Sequence, residues 1–531
     1  MAFPWIPAAV YAVSFLIDVL TRKPISRVEN YQQNSSGRPS IEKGVPVPVI
    51  WGHAFITQPL VIYSGNYQFN SETDSFVYDG ETYYTRITDP RCNAVIAFAL
   101  CRGAMDSDNG DGLLFVRIGG KPPTDEVAGG SNWCRTTSDV GVAYPTVVTA
   151  GCSIKDRDLF GGKGQGGGVQ LDGMIHFGAD AESADSNFLT QTGLVAVPAW
   201  RNIVWFWMYN YVGKGPILPS YEFEIRRCPN NLSLDSSGYK IVDPDVANIY
   251  DANPAEMLYE LLTDDDFGLG LTTDEVNQTS FQTAGNTLYT ETLGMSLVWD
   301  GLSPVANVIE EILKTIGGVL YQDSNGKIAI SLLRAADTSV LTIDEDNCIT
   351  LEMDTQAWSD SIDNIIVEYP LRQTNTNRIS RGSITANDPG RFQWGSNRVA
   401  TKVQYEGIRR ADIAEKLAVR DLRLLTSPTR KFRAVVNREG AIGSDDETIT
   451  PGKVVLVTWT DYGISAVRCR VDTVDQGLLE DGKITFYLIE DFFDQTAAAF
   501  DSPETEWNDD DAEPDEVGYG YSYGNAYGGG V

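Results

Sequence analysis

Residues 160–178 read FGGKGQGGGVQLDGMIHFG, and Gly162, Gly164 and Gly167 stand at the spacing of a dinucleotide-binding turn. That chemistry needs a strand before the glycines and a helix after them, because backbone N–H groups at the helix start hold the pyrophosphate. Here VQLDGMIHFG follows, alternating apolar and polar residues as a strand does. A Walker loop also fails, since Lys163 is followed by Gly164 rather than Ser or Thr. The glycines are expected to form a wide turn between strands, or to let two backbones pass closely. A second candidate is DSDNGDG, Asp106 to Gly112, which suggests calcium. An EF-hand loop needs glycine at its sixth position and a bidentate Glu at its twelfth, where this chain has Asp111 and Arg117. A solvated turn is expected, with a loose surface calcium site as the alternative. A third candidate, TDDDF at Thr263 to Phe267, offers three carboxylates, but glycoside hydrolysis needs two held about 5–10 Å apart across a cleft. An acidic helix end or turn is the expectation. With only two histidines, His53 and His176, and neither GxSxG nor HExxH, the sequence predicts no catalytic residue, no cofactor and no metal ligand set.

These stretches sit in a chain of 531 residues, long enough for about three to five domains. Hydrophobic residues make up 42% and charged residues 21%, which allows real cores. Asp and Glu number 73 against 41 Lys and Arg, a net charge of −32. A surface this acidic repels nucleic-acid phosphates, so any contact with DNA would be a sliding one. The seven cysteines show no CxxC spacing, and free thiols formed in a reducing cytoplasm are expected. The N-terminus is apolar from Phe3 to Leu20, but Arg22 and Lys23 follow the run, Asp18 interrupts it, and it is shorter than a clean span of about 20 residues. It predicts an apolar helix covered by a partner or by the rest of the protein, with no stable membrane anchor. Phe3, Trp5, Ile6, Val10, Phe15 and Leu16 are the expected contact residues.

From Pro46 to Arg227 the elements are strands rich in β-branched and aromatic residues, separated by Gly, Asn or Asp, as in antiparallel sheet. PSYEFEIRRCP places Tyr221, Phe223 and Ile225 on one face and Glu222, Glu224 and Arg226 on the other. Trp205 and Trp207 share a face of WRNIVWFWMYNYVG, either filling a core or forming an exposed glycan platform. The period then changes. Asn253, Pro254 and Glu256 form a helix start for PAEMLYELLT, and a second helix is expected from about Ser280 to Leu293. A third follows Ser303-Pro304 and ends at Gly317-Gly318, before a hairpin that turns at Asp323 to Gly326. One more helix is expected at about 409–426, burying Ile413, Leu417 and Leu424, and ITPGKVVLVTW, AVRCRVDTVDQG and KITFYLIEDFF read as three closing strands. The fold class is therefore α+β, mainly β and multidomain. The expected division is an apolar helix and linker at 1–45, a first β-rich part at 46–249 and a helical insert with hairpin at 250–335. A second β-rich part at 336–494 and an acidic, Gly/Tyr-rich tail at 495–531 complete it. The tail cannot bury enough apolar surface to order itself without a partner.

Several phrases, in order, resemble the tail hub or tail-tip attachment proteins of long-tailed bacteriophages and gene transfer agents. They are GVPVPVIWGHAFI, DLFGGKGQGGGV, VPAWRNIVWFWMYNYVGKGPILPSYEFEIRRCP, NPAEMLYELLTDDDFGLGL, ITPGKVVLVTW and RCRVDTVDQGLLEDGKITFYLIEDFF, which run from about residue 45 to 494. Arg201-Asn202 departs from a common Arg-Gly of the family, and Lys453 stands where an Asp is common. The resemblance implies β-barrel-like hub domains flanking the helical insert, and a homotrimer that closes the distal end of the tail tube. Its channel would pass the tape-measure protein and then DNA, in transit only. It implies a structural virion protein made in the host bacterial cytoplasm and placed at the distal tail, without catalysis. Implied partners are the distal tail or tail-tube protein and tail fibre or tip proteins. The alternatives are a receptor- or glycan-binding tail-tip protein and a tail-associated cell-wall hydrolase.

Overall fold

The computed structural model describes residues 46–70, 73–78, 81–86, 91–106, 111–119, 151–156, 169–212, 220–234, 238–244, 249–355, 362, 364–372, 379–387, 400–426, 429–443, 449–477, 482–491 and 500–501. The expectations for 1–45, for the glycine run 160–168, for most of the Asp106 loop and for all but two residues of the tail lie outside these. The fold is α+β and mainly β, with one nearly closed barrel sheet and one half-barrel sheet.

A nine-stranded sheet carries the first half of the chain. Its path runs Gly112–Ile118, Tyr221–Arg227, Val49–Ile56, Arg91–Arg102, Ile203–Val212, Val169–His176 and Gly151–Asp156. Leu60–Asn70 pairs with Arg91–Arg102, and Leu297–Trp299 pairs with Val49–Ile56. The expected antiparallel pairing dominates, but Val49 pairs in parallel with Arg102. The strand after the glycine run is present as Val169–His176, where a dinucleotide turn would need a helix. The central strands are apolar on both faces because both are covered. Ala94, Ile96, Phe98 and Leu100 enter the main core of this sheet, while Val95 and Ala97 face a small aromatic core with Phe188, Trp205 and Trp207.

The helices form where capping chemistry and apolar spacing coincide. α1 (Ser186–Thr192) is a short helix that the periodicity does not predict; Asp185 caps its start and Gly193 its end. α2 (Pro254–Thr263) starts as expected, with the Asn253 side chain accepting from Ala255 N–H and proline in the first turn. Glu256, however, does not reach back to Asn253. Its carboxylate accepts from the Asn231 and Leu232 backbone N–H groups, and Asn253 N–H donates to the Tyr239 carbonyl. α3 spans Gln278–Thr290, slightly ahead of the expected range: Asn277 caps Ser280 N–H, and Thr292 takes a left-handed turn (φ 56°) before Gly294. α4 (Val305–Ile316) buries Val308, Ile309, Ile312, Leu313 and Ile316, and ends at Gly317. The hairpin Gly318–Gln322 with Ile328–Leu332 follows.

In the second half, a six-stranded sheet runs Ser339–Ile343, Val454–Trp459, Ile464–Asp475, Lys483–Glu490, Arg430–Asn437 and Cys348–Thr355. Its two edge strands are consecutive in the chain, joined by the turn at 344–347. A four-stranded sheet of Ala400–Gln404, Asn364–Arg372, Ile379–Asn387 and Phe500–Asp501 lies beside it, so two residues of the acidic tail pair with the chain's own sheet. α5 (Ala411–Thr426) covers the four-stranded sheet and buries Ile413, Leu417 and Leu424 as expected. One apolar core joins Trp51, helices α2–α4, α5 and strand residues Ile365 and Val367, so the helical insert packs against both β-rich parts.

Candidate functional site

The histidines are the first place to look for acid–base chemistry. His53 lies on the Val49–Ile56 strand, fully buried, with Nε2 2.6 Å from Glu224 Oε1. Burial holds its pKa below the ordinary value against the pull of Glu224. Its backbone N–H donates to Ser296 Oγ at 2.9 Å. Nothing in solution reaches this ring.

His176 ends the Val169–His176 strand. Its Nδ1 lies 2.6 Å from Glu182 Oε1 and its Nε2 2.8 Å from Asp185 Oδ2. Carboxylates only accept, so both contacts are satisfied when both ring nitrogens carry hydrogen. The ring also stacks on Trp205, with centroids 4.1 Å apart. Asp185 takes a further bond from Trp207 Nε1 at 2.6 Å and caps α1 through Asn187 and Phe188 N–H. Burial would raise the Asp185 pKa, but these donors outweigh it and hold the carboxyl below its ordinary value. With both nitrogens engaged, His176 ties Glu182 and Asp185 to the end of its strand. Trp205 and Trp207 are buried in the same cluster, so the exposed glycan platform they could have formed is overturned and they fill a core.

A buried ionic seam joins the Val49–Ile56, Tyr221–Arg227 and Asn364–Arg372 strands to α2. Arg227, at the end of Tyr221–Arg227, forms a two-pronged pair with Glu260 of α2; its Nη2 meets Oε1 and its Nη1 lies 3.1 Å from Oε2. Trp51 Nε1 donates to the same Glu260 Oε2 at 2.6 Å. Arg227 also donates to the Ile50 and Ala104 carbonyls, so all three guanidinium nitrogens are engaged. On the Asn364–Arg372 strand, Arg372 Nη1 meets Asp243 Oδ2 at 2.6 Å and its Nη2 meets Asp251 Oδ1 at 2.7 Å. Ser296 Oγ donates to Asp251 and so links this pair to His53. Arg409 stands nearby, its pKa brought down to about 10 by burial and then by the Arg372 charge. Two glycines make the packing possible. Gly52 (φ 70°) lies where a Cβ would strike Ser296, and Gly103 (φ 83°) where a Cβ would strike the Arg227 guanidinium.

Alternation on Tyr221–Arg227 holds, with Tyr221, Phe223 and Ile225 in the core. Two residues of the opposite face are buried too, while Glu222 is half-buried: Glu224 meets His53, and Arg226 lies over the Tyr250 ring at 4.5 Å. Periodicity alone gives no sign of this second cover.

The remaining candidates resolve as structure. In TDDDF, Asp264 ends α2 and its carboxylate accepts from Asp266 and Phe267 N–H, forming a turn. Asp111 is buried with its carboxylate accepting from Cys228 N–H at 2.9 Å, and burial pushes its pKa up to about 7. Cys101, Cys228, Cys348 and Cys469 are unbridged and buried, and burial pushes the Cys101 thiol to about 12. Among the described residues no cluster of His, Cys, Asp and Glu has the arrangement of a metal site, and no helix is long and apolar enough to cross a membrane. Phe3, Trp5, Ile6, Val10, Phe15 and Leu16 lie outside the described residues.

No protein-family model matches the sequence, and no curated protein matches it. Among solved structures, one from the virion of a native gene transfer agent particle is 13% identical, with a TM-score of 0.47 over 90% of this chain and 92% of that one. A tail protein from Neisseria meningitidis MC58 is 11% identical, with a TM-score of 0.32 over 72% of this chain and 97% of that one. A 43 kDa tail protein of prophage MuSo2 from Shewanella oneidensis is 12% identical, with a TM-score of 0.30 over 71% and 98%.

Proposed function

We propose that this chain is a structural protein of a phage-type tail, the hub that closes the distal end of the tail tube. It acts as a homotrimer around a channel for the tape-measure protein and for DNA in transit. Its other partners are the distal tail or tail-tube protein and tail fibre or tip proteins, and its place is the distal tail of the virion. It has no catalytic role. The observation that carries the reading is where the resembling phrases meet. Trp51 from GVPVPVIWGHAFI, Arg227 from EIRRCP and Glu260 from NPAEMLYELLT form one buried ion-paired cluster. The phrases that resemble the hub family are thus the ones that lock the first β-rich part to the helical insert, as a shape-bearing wall requires. The buried seam offers no substrate-facing group, and His176 has both nitrogens engaged. Native mass spectrometry of the purified chain is expected to give a trimer, and cryo-electron microscopy of the particle a threefold ring at the tail tip. A monomer that is absent from the particle would overturn the reading.

A further inference from the structure

We propose that the apolar loop after α1, Gly193 to Pro198, is a contact between copies of this chain. The inference rests on the trimeric reading above and names a surface for it. Val195 is 100% exposed and Leu194 42%, and Ala196 and Pro198 are exposed beside them. Single exposed apolar residues are ordinary, but consecutive ones on a stiff loop need cover.

The loop is stiff for stated reasons. Asp185 caps α1, Gly193 closes it in the left-handed conformation (φ 68°), and Phe188 anchors the helix in the aromatic core. The Asn66 side chain donates to the Gln191 carbonyl. Val197 and Trp200 pack against the same core and fix the far end. The His176 clasp holds Glu182 and Asp185 at the near end. Little ordering entropy is therefore lost when a partner docks.

Charge selects the occupant. The stretch SNFLTQTGLVAVPAW, Ser186 to Trp200, contains no charged side chain in a chain whose net charge is −32. Two copies of so acidic a chain repel each other across most approaches, and an uncharged apolar face is where they meet at least electrostatic cost. A basic partner would gain nothing here, since the stretch offers it no carboxylate on the surface. Exposed Ser186, Asn187, Thr190 and Gln191 supply the polar rim that surrounds an apolar contact centre.

The test uses the full chain. Val195 has no internal role at full exposure, so Val195→Asp should fold normally, as judged by circular dichroism and the melting temperature. Leu194→Ser serves as a second, milder variant, and Leu302→Asp, at an exposed apolar site elsewhere, as the control. Native mass spectrometry over a dilution series should show the wild type and L302D assembling alike. V195D should weaken assembly at least tenfold and L194S by a smaller factor. Assembly unchanged in both loop variants overturns this inference and leaves the trimeric reading standing. A wild type that stays monomeric at every concentration overturns both. Assembly unchanged in V195D together with loss of another tail protein from V195D particles would assign the loop to that protein instead.

Discussion

At the scale of single residues, the seam fixes what each charge can do. Glu260 neutralises a fully buried guanidinium and accepts from Trp51 in the same gesture. Removing one member of such a pair strands the other charge. Glu260→Gln should therefore lose about 3–5 kcal/mol of stability in urea unfolding, whereas the paired Arg227→Met/Glu260→Met replacement should recover most of it. Glu256 makes a different prediction. Burial first, and then the neighbouring Glu260 charge, push its pKa up to about 8 from the ordinary 4.5, against two backbone N–H bonds that pull it down. The folded chain thus holds this proton more tightly than the unfolded chain. The stabilisation is complete below pH 4.5 and is lost as pH rises through about 8. Glu256→Gln keeps an acceptor for Leu232 N–H and removes the titration, so the wild-type loss of stability between pH 5 and about 8.5 should flatten in thermal melts of the variant. An equal slope in both proteins would assign it to other groups, Asp111 first among them.

At the scale of elements, local chemistry was readable and distant chemistry was not. The start of α2 could be read from Asn253 and Pro254 because a cap is satisfied within a few residues. The apolar stripe of α4 and the closing strands could be read from period alone. α1 was missed because a seven-residue helix holds too few apolar positions to set a period; its signal was Asp185 at the start and Gly193 at the stop. The seam was invisible because Glu224, Arg226 and Glu260 look like solvent-facing positions until a second layer covers them. Gly52 and Gly103 were equally silent, being two glycines among 50 whose need appears only when Ser296 and Arg227 arrive from far along the chain. This separates two kinds of glycine in experiment. Gly103→Ala and Gly193→Ala both force a side chain into the left-handed region, at about 1–3 kcal/mol each. Only at Gly103 does the new Cβ also strike the buried, ion-paired Arg227 guanidinium, while Gly193 opens onto space. Melting should therefore fall further for Gly103→Ala, and equal losses would show that the seam tolerates displacement.

At the scale of the whole molecule, one core links the helical insert to both β-rich parts, and the ionic seam adds fixed geometry to that link. Under the proposed hub role, this rigid link would carry shape from one subunit to the next. The chain's acidity fits the proposed role: with 41 Lys and Arg against 73 Asp and Glu, a channel wall of this net charge would repel a polyanion rather than capture it. In the proposed assembly, the apolar run from Phe3 to Leu20, which carries Trp5, Val10 and Phe15, would be covered rather than face water. If sister copies or the tape-measure protein cover it, deleting residues 1–24 should leave the folded part intact, with an unchanged near-ultraviolet spectrum. It should also reduce the yield of assembled, DNA-retaining particles by tenfold or more. Particles of normal number, DNA content and infectivity from the truncated chain would show that the run has no covering partner in the assembly.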